Sequence, residues 1–303
     1  MIRIGCAGWS YPDWEGVVYP SRTAPRFDPL AYLSGFVDCI EINSTFYRIP
    51  DLSAASSWAA RVAENPSFTF TVKLWRGFTH GPPLPPVEIQ AAEASFKSAL
   101  DQLRRADRLG ALLIQFPYAF HNSGANRSRL EEMLDRFEEF PLAVEVRHDS
   151  WLVEGYFSML RERDIAFCNI DQPDLSQNIP PTTHVTSRIA YVRLHGRNAG
   201  TWFQEGVGRD QRYDYLYSEE ELSAWHERLP DMQGAREIFI IANNHYRGQA
   251  IANALELKSM VGGGRVPAPS QLIAAYPRLA RSASPAPPRD GETSSRQGVL
   301  PFS

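Results

Sequence analysis

The chain has 303 residues, 43% of them hydrophobic and 12% aromatic, enough for one large buried core, and no apolar run reaches the length of a bilayer span. Its 31 Lys and Arg against 35 Asp and Glu leave a net charge of −4, which excludes the strongly basic surface that grips duplex nucleic acid unaided. The charge is uneven: residues 262–303 hold five Arg (265, 278, 281, 289, 296) against Asp290 and Glu292, a balance of +3, so the preceding body stands at −7.

The chain opens on a strand pattern, Met1-Ile2-Arg3-Ile4-Gly5-Cys6, without the charged leader and apolar stretch of a secretory signal, so a cytoplasmic protein is expected. Cys6, Cys39 and Cys168 are odd in number, far apart and set in apolar segments. That pattern reads as buried core thiols, not a disulfide framework or a zinc site. Eight short β-type runs follow one another at residues 2–6, 37–42, 68–74, 111–116, 142–146, 166–170, 190–194 and 238–242. Helix-type stretches lie between them. Ser53 opens an Ala-rich segment with Trp58, residues 90–109 and 127–140 carry three-to-four apolar spacing, and Ser218-Glu219-Glu220-Glu221 forms a capping box ahead of Leu222, Trp225 and Leu229. Eight βα units in about 260 residues predict a closed (β/α)₈ barrel over residues 1–261. An open doubly wound sheet competes, but no Gly-rich phosphate fingerprint follows an early strand.

Beyond Val261 the texture changes. Gly262-Gly263-Gly264 ends the last helix, a short amphipathic extension covers residues 262–281, and from Ser282 to Arg296 no aliphatic or aromatic side chain beyond Ala and Pro occurs, so residues 282–303 are expected to be a disordered tail.

In such a barrel, strand residues alternate between the interior and the helix layer, and chemistry collects at the carboxyl ends of the strands. Placing the aliphatics of each strand against the helices turns Glu41 and Asn43, Glu145 and Arg147, Asn169 and Asp171, and Arg193 and His195 inward. Lys73 ends the third strand, Gln115 the fourth and Asn243 the eighth. Three acids (Glu41, Glu145, Asp171) then face three bases (Lys73, Arg147, Arg193), and the set can be read as a self-neutralised network. A buried ionic network is a poor source of stability, which favours a functional site.

Because the acids already have cationic neighbours and no HExxH or CxxC spacing occurs, no metal or other cofactor is expected. Lys73, Arg147 and Arg193 suit a carboxylate or phosphate, and His195 beside Asp171 or Glu145 is the candidate proton carrier. The candidate catalytic set is therefore Glu41, Glu145, Asp171 and His195, with Trp9, Asn43, Tyr47, Lys73, Gln115, Arg147, Arg193, Arg197 and Asn243 as ligand-binding residues. Rings gather at the expected rim: Trp9, Tyr11, Phe46, Tyr47, Trp75, Trp151, Trp202 and Phe203. Residues 197–217 form a long connection rich in Gly, Arg and Tyr, read either as a lid or as a packed loop. No Ser lies in a GxSxG elbow, so acyl chemistry has no support.

Five motifs in order carry a resemblance: Gly5-Cys6-Ala7-Gly8-Trp9-Ser10-Tyr11, Glu41-Ile42-Asn43-Ser44-Thr45-Phe46-Tyr47, Val144-Glu145-Val146-Arg147-His148, Tyr191-Val192-Arg193-Leu194-His195-Gly196-Arg197, and Asn243-Asn244. From residue 2 to about 261 the chain resembles the YecE family, a bacterial and archaeal domain of unknown function. The resemblance implies a TIM-type barrel and a cytoplasmic setting, and brings no reaction with it. Two departures are small: Cys6-Ala7 stands where such proteins often have Thr-Ser, and His245 follows Asn244 where Thr or Asp is more usual.

The tail ends in Gln297-Gly298-Val299-Leu300-Pro301-Phe302, which resembles the QxxLxF peptides that bind the bacterial sliding clamp, with Gln297, Leu300 and Phe302 as anchors. Three readings follow. The first is a metal-independent hydrolase or lyase acting on a phosphorylated ligand, with an anionic small molecule, nucleotide or nucleic acid as its partner. The second is a non-catalytic repair or replication accessory recruited to the clamp by its tail. The third is a metal-dependent phosphoesterase.

Overall fold

The computed structural model describes residues 1–21, 23, 25–82, 84–200 and 213–287. Eight parallel strands, β1 (Ile2–Ala7), β2 (Cys39–Ile42), β3 (Thr69–Lys73), β4 (Leu109–Gln115), β5 (Leu142–Glu145), β6 (Ala166–Asp171), β7 (Ile189–Leu194) and β8 (Glu237–Ala242), close into a barrel when β8 pairs with β1. Helices wrap it, and none of those described is long and apolar enough to cross a membrane.

Local chemistry explains the helix boundaries. Pro86 starts the longest helix, Pro86–Arg105, where its missing N–H costs nothing, and Ser123 caps Gly124–Arg136 by accepting from the Asn126 amide at 3.3 Å. The capping box at Ser218 and Glu221 forms as expected at the head of helix Glu219–Arg228. Helix Leu52–Arg61 begins one residue earlier than its Ser signal, because the Asp51 carboxylate accepts the Ala54 amide at 2.7 Å and takes the capping position. Helix Gln249–Gly262 stops at Gly263, whose φ of +65° suits a residue without Cβ.

The sixth unit breaks the alternation. Between β6 and β7, residues 172–188 contain no helix, and this loop covers the outside of β6. Its backbone polar groups need partners, which Asn169 supplies: its Oδ1 accepts from Thr182 Oγ1 and the His184 amide, both at 2.8 Å, and its Nδ2 donates to the His184 carbonyl at 2.9 Å.

Residues 262–281 close over helix Gln249–Gly262 through buried Leu272 and Leu279 and a 2.8 Å Arg278–Glu256 ion pair. The stretch from residue 282, expected to be disordered, begins instead with β10 (Ala283–Pro285), which pairs in parallel with β9 (Val266–Ala268). Small side chains suit that pairing, since Ala283 is fully buried and the Ala283 carbonyl accepts from Arg265 Nε at 3.0 Å. The remaining tail, including Gln297, Leu300 and Phe302, lies outside the described residues, as do Trp202 and Phe203.

Within the barrel the amino-terminal end is sealed by Arg3, whose Nε meets Glu237 at 2.9 Å. A Cβ at Gly110 would lie 2.5 Å from the Phe239 ring, so the packed interior needs glycine there. The polar chemistry lies toward the opposite, carboxyl end.

Candidate functional site

Strand register fixes which side chains share the interior. Parallel neighbours face the same way, so the pairs Glu41–Thr71, Gln115–Glu145 and Lys73–Leu113 put Glu41, Lys73, Gln115 and Glu145 on the lumen side. Arg193 sits between the two acids. Its Nη2 donates to Glu41 Oε1 at 2.6 Å and its Nη1 to Glu145 Oε2 at 2.5 Å, joining β2, β5 and β7 through the barrel axis. Glu41 and Glu145 are fully buried and Arg193 is 1% exposed. Tyr191, two residues earlier on the same face of β7, donates its hydroxyl to Glu41 Oε2 at 3.0 Å or Thr71 Oγ1 at 2.7 Å. The period-two spacing from Arg193 marks Tyr191 in the sequence, where its polar end went unused.

Above this layer Arg147 Nη2 meets Glu145 Oε1 at 2.7 Å, with its side chain still 13% exposed at the mouth. Burial alone would raise the Glu145 carboxyl, but Arg193 and Arg147 outweigh it and hold it well below the ordinary carboxylate range. His195 Nε2 is 3.4 Å from Glu145 Oε1, and its Nδ1 is 2.9 Å from Asn243 Nδ2. Burial pushes the imidazole down to about 3, so it is neutral at physiological pH. With the Asn243 amide donating to Nδ1, the remaining proton sits on Nε2 and faces Glu145.

Lys73 occupies the carboxyl end of β3, partly buried, with Nζ 4.0 Å from the Phe46 ring centroid. Among the described residues no carboxylate is within ion-pair distance of it. Burial, and then the nearby Arg193, lower this amine to about 7 against the opposing pull of Glu41 and Glu145. The Thr45 hydroxyl lies 2.6 Å from the Lys73 carbonyl oxygen and 2.8 Å from that of Ile42, tying the ends of β2 and β3 together. Two buried acceptors, Asn43 Oδ1 and Gln115 Oε1, have no hydrogen-bond partner among the described residues.

Asp171 and Arg197 require a correction, because neither belongs to this group. Cys168 and Ile170 of β6 stand in register with inward-facing Tyr191 and Arg193, which turns Asn169 and Asp171 to the outside. The aliphatic rule fails here because the outer face of β6 meets a polar loop and helix Glu219–Arg228 in place of an apolar helix of its own. Asp171 Oδ2 accepts from Arg197 Nη2 and Trp225 Nε1, both at 2.6 Å, while Oδ1 accepts from Arg197 Nε at 2.8 Å and from Tyr217 at 3.1 Å. Arg197 also reaches Glu221 at 3.0 Å.

The rim rings divide in the same way. Trp151 is fully buried, stacked on Phe120 and bonded through Nε1 to the Phe120 carbonyl, so it is core. Trp9 packs edge-on against Trp58, and Tyr11 stacks on His245 at 4.4 Å. Trp75 packs on Phe78, while Tyr47 is 60% exposed beside Phe46. His80, edge-on to Phe46 at 5.0 Å, is a neighbour of Lys73 that no strand pattern marks, since it follows a short helix. Among the described residues no group of three or more His, Cys, Asp and Glu side chains is arranged to hold a metal ion.

Comparison with known proteins agrees with this architecture. The profile of the family described as "Protein of unknown function DUF72" matches residues 3–274. UPF0759 protein YunF of Bacillus subtilis is 28% identical over 274 residues, covering 86% of this chain and 95% of that protein. UPF0759 protein YecE of Escherichia coli K12 is 27% identical over 158 residues, 51% of this chain and 52% of that one. Two crystal structures of DUF72 family proteins superpose on 86% of the chain. The one from Thermotoga maritima has 34% identity, a TM-score of 0.73 and 99% of its length covered; one from Enterococcus faecalis has 25% identity, a TM-score of 0.75 and 96% covered. The chain belongs to the DUF72 family.

Proposed function

We propose that this DUF72 protein carries an enzyme-type site for a small carboxylated or phosphorylated ligand at the carboxyl end of its barrel. One observation carries the reading: with Asp171 outside, among the described residues two interior carboxylates, Glu41 and Glu145, face three basic groups, Arg193, Arg147 and Lys73. Arg193 consumes one oxygen of each acid, and Arg147 takes the other Glu145 oxygen, so Lys73 meets no carboxylate among the described residues. An anion completes the balance, and the partly exposed Arg147 offers it hydrogen bonds.

The unpartnered acceptors of Asn43 and Gln115 fit hydroxyl or amine groups on the same ligand. The position supports chemistry over mere storage, since strand carboxyl ends are where (β/α)₈ enzymes work. Neutral His195, held by Asn243, presents its Nε2–H to Glu145 as a fixed hydrogen-bond donor. Calorimetric titration with inorganic sulfate tests the site. Arg147→Gln is expected to weaken sulfate binding by roughly tenfold to a hundredfold, the value of a charge-assisted hydrogen bond. Unchanged affinity in that variant would remove the reading.

A further inference from the structure

Of the 31 basic residues in this chain only three are lysines: Lys73, Lys97 and Lys258. Lys97 is paired with Glu93 and Glu139, each at 2.9 Å, and Lys258 with Asp38 at 2.7 Å. Both do structural work that an arginine does elsewhere in the fold. Lys73 is the exception, since its amine meets no described carboxylate and lies over the Phe46 ring at the mouth.

If cationic charge alone were needed at the end of β3, arginine would supply it with better anion geometry and without loss of charge on burial. What lysine adds is a primary amine that deprotonates and attacks carbon. An amine is activated for this by burial and by the field of nearby cations, and Lys73 feels both, burial first and then Arg193. Its backbone is held by the Thr45 hydroxyl at the rigid end of a barrel strand, which limits where the side chain can travel.

From an amine that meets no described carboxylate, its seat over the Phe46 ring and its strand-end position, we infer that Lys73 forms an imine with a small aldehyde or ketone that also bears a carboxylate or phosphate. The inference rests on the proposed anion site, with Arg147 holding the acidic group and Lys73 reaching the carbonyl. In the step, the neutral amine adds to the carbonyl carbon and a C–N bond forms. The former carbonyl oxygen takes one proton from the amine and one from solvent and leaves as water, so a protonated C=N bond remains. No oxidant or reductant is consumed.

The test uses the full-length protein with pyruvate, glyoxylate or glyceraldehyde 3-phosphate, each with sodium cyanoborohydride, which reduces an imine to a stable secondary amine. Peptide mapping by mass spectrometry then reads all three lysines and the amino terminus in one digest. Label on Lys73 is expected to exceed that on Lys97 and Lys258 by at least roughly a hundredfold at neutral pH, because an amine near 7 is about half unprotonated there, whereas for an ordinary lysine at about 10.4 the unprotonated share is below about one part in a thousand. Lys73→Arg, checked for folding by its melting temperature, should lose that label. Equal labelling of the three lysines, or label confined to the amino terminus, overturns the inference. Sulfate titration of the unmodified protein separates the two failures: sulfate binding without Lys73 label rejects the imine and keeps the anion site, whereas loss of both rejects the site itself.

Discussion

Glu41 and Glu145 inside the barrel, and Asp171 just outside it, are all fully buried carboxylates held by arginine, yet their surroundings differ in one respect. The outer cluster is closed: Asp171 receives four bonds from Arg197, Tyr217 and Trp225, and Arg197 is used again by Glu221. The inner cluster differs, because among the described residues its bases outnumber its acids and two of them, Arg147 and Lys73, reach the mouth. Burial and pairing alone therefore do not mark a binding site. The proposed site rests instead on an uncompensated group at an accessible edge.

Substitutions that strike each cluster separately can break this contrast. The largest effect belongs to Arg193→Met, which leaves Glu41 and Glu145 buried without their shared cation. It should cost about 3–5 kcal/mol or prevent folding, as read by urea denaturation. A loss below about 1 kcal/mol would mean that the interior acids are relieved by water or protonation, and that the inner cluster is not held by Arg193.

Asp171→Asn should act on stability alone. The amide keeps the shape but offers one acceptor to four incoming bonds, turning an N–H toward groups that are themselves donors. About 2 kcal/mol of stability should be lost, discounted because Arg197 is one-third exposed, while sulfate affinity stays at the wild-type value. Should the variant fold normally but bind sulfate poorly, the outer cluster would have to be joined to the site and the contrast abandoned.

The same two clusters explain what the sequence revealed. Period-two alternation placed Glu41, Glu145, Arg147, Arg193 and His195 correctly toward the lumen, because β2, β5 and β7 each back onto apolar packing and their aliphatics have one place to go. On β6 the same rule inverted the strand. Cys168 and Ile170 are as apolar as the outward residues of the other strands, and nothing in residues 166–171 says that the following segment forms a loop instead of a helix. Trp225 and Tyr217, which complete the Asp171 cluster, lie about 50 residues downstream, beyond the reach of any local pattern. The eight-strand closure was legible for the opposite reason, since it depends on a repeated unit and tolerates one irregular member.

The smallest expected effect sharpens the contrast most, because it distinguishes two uses of one side chain. Burial and Arg193 hold the folded Lys73 amine near 7, below its unfolded value, so above that pH the unfolded chain carries the extra proton and rising pH favours the fold. An anion seated beside the amine reverses the shift and draws a proton in. Sulfate, which does not titrate in this range, should thus bind more weakly as the pH rises above about 7, by up to about tenfold per unit. His195, at about 3, stays neutral throughout and adds nothing to the slope. Imine trapping on Lys73 should move in the other direction, growing as the amine loses its proton and levelling off above about pH 8. Opposite slopes for one residue require an amine that both balances charge and attacks carbon. Parallel slopes, or two flat profiles, would reduce Lys73 to a fixed cation and make the inner cluster as closed as the outer one.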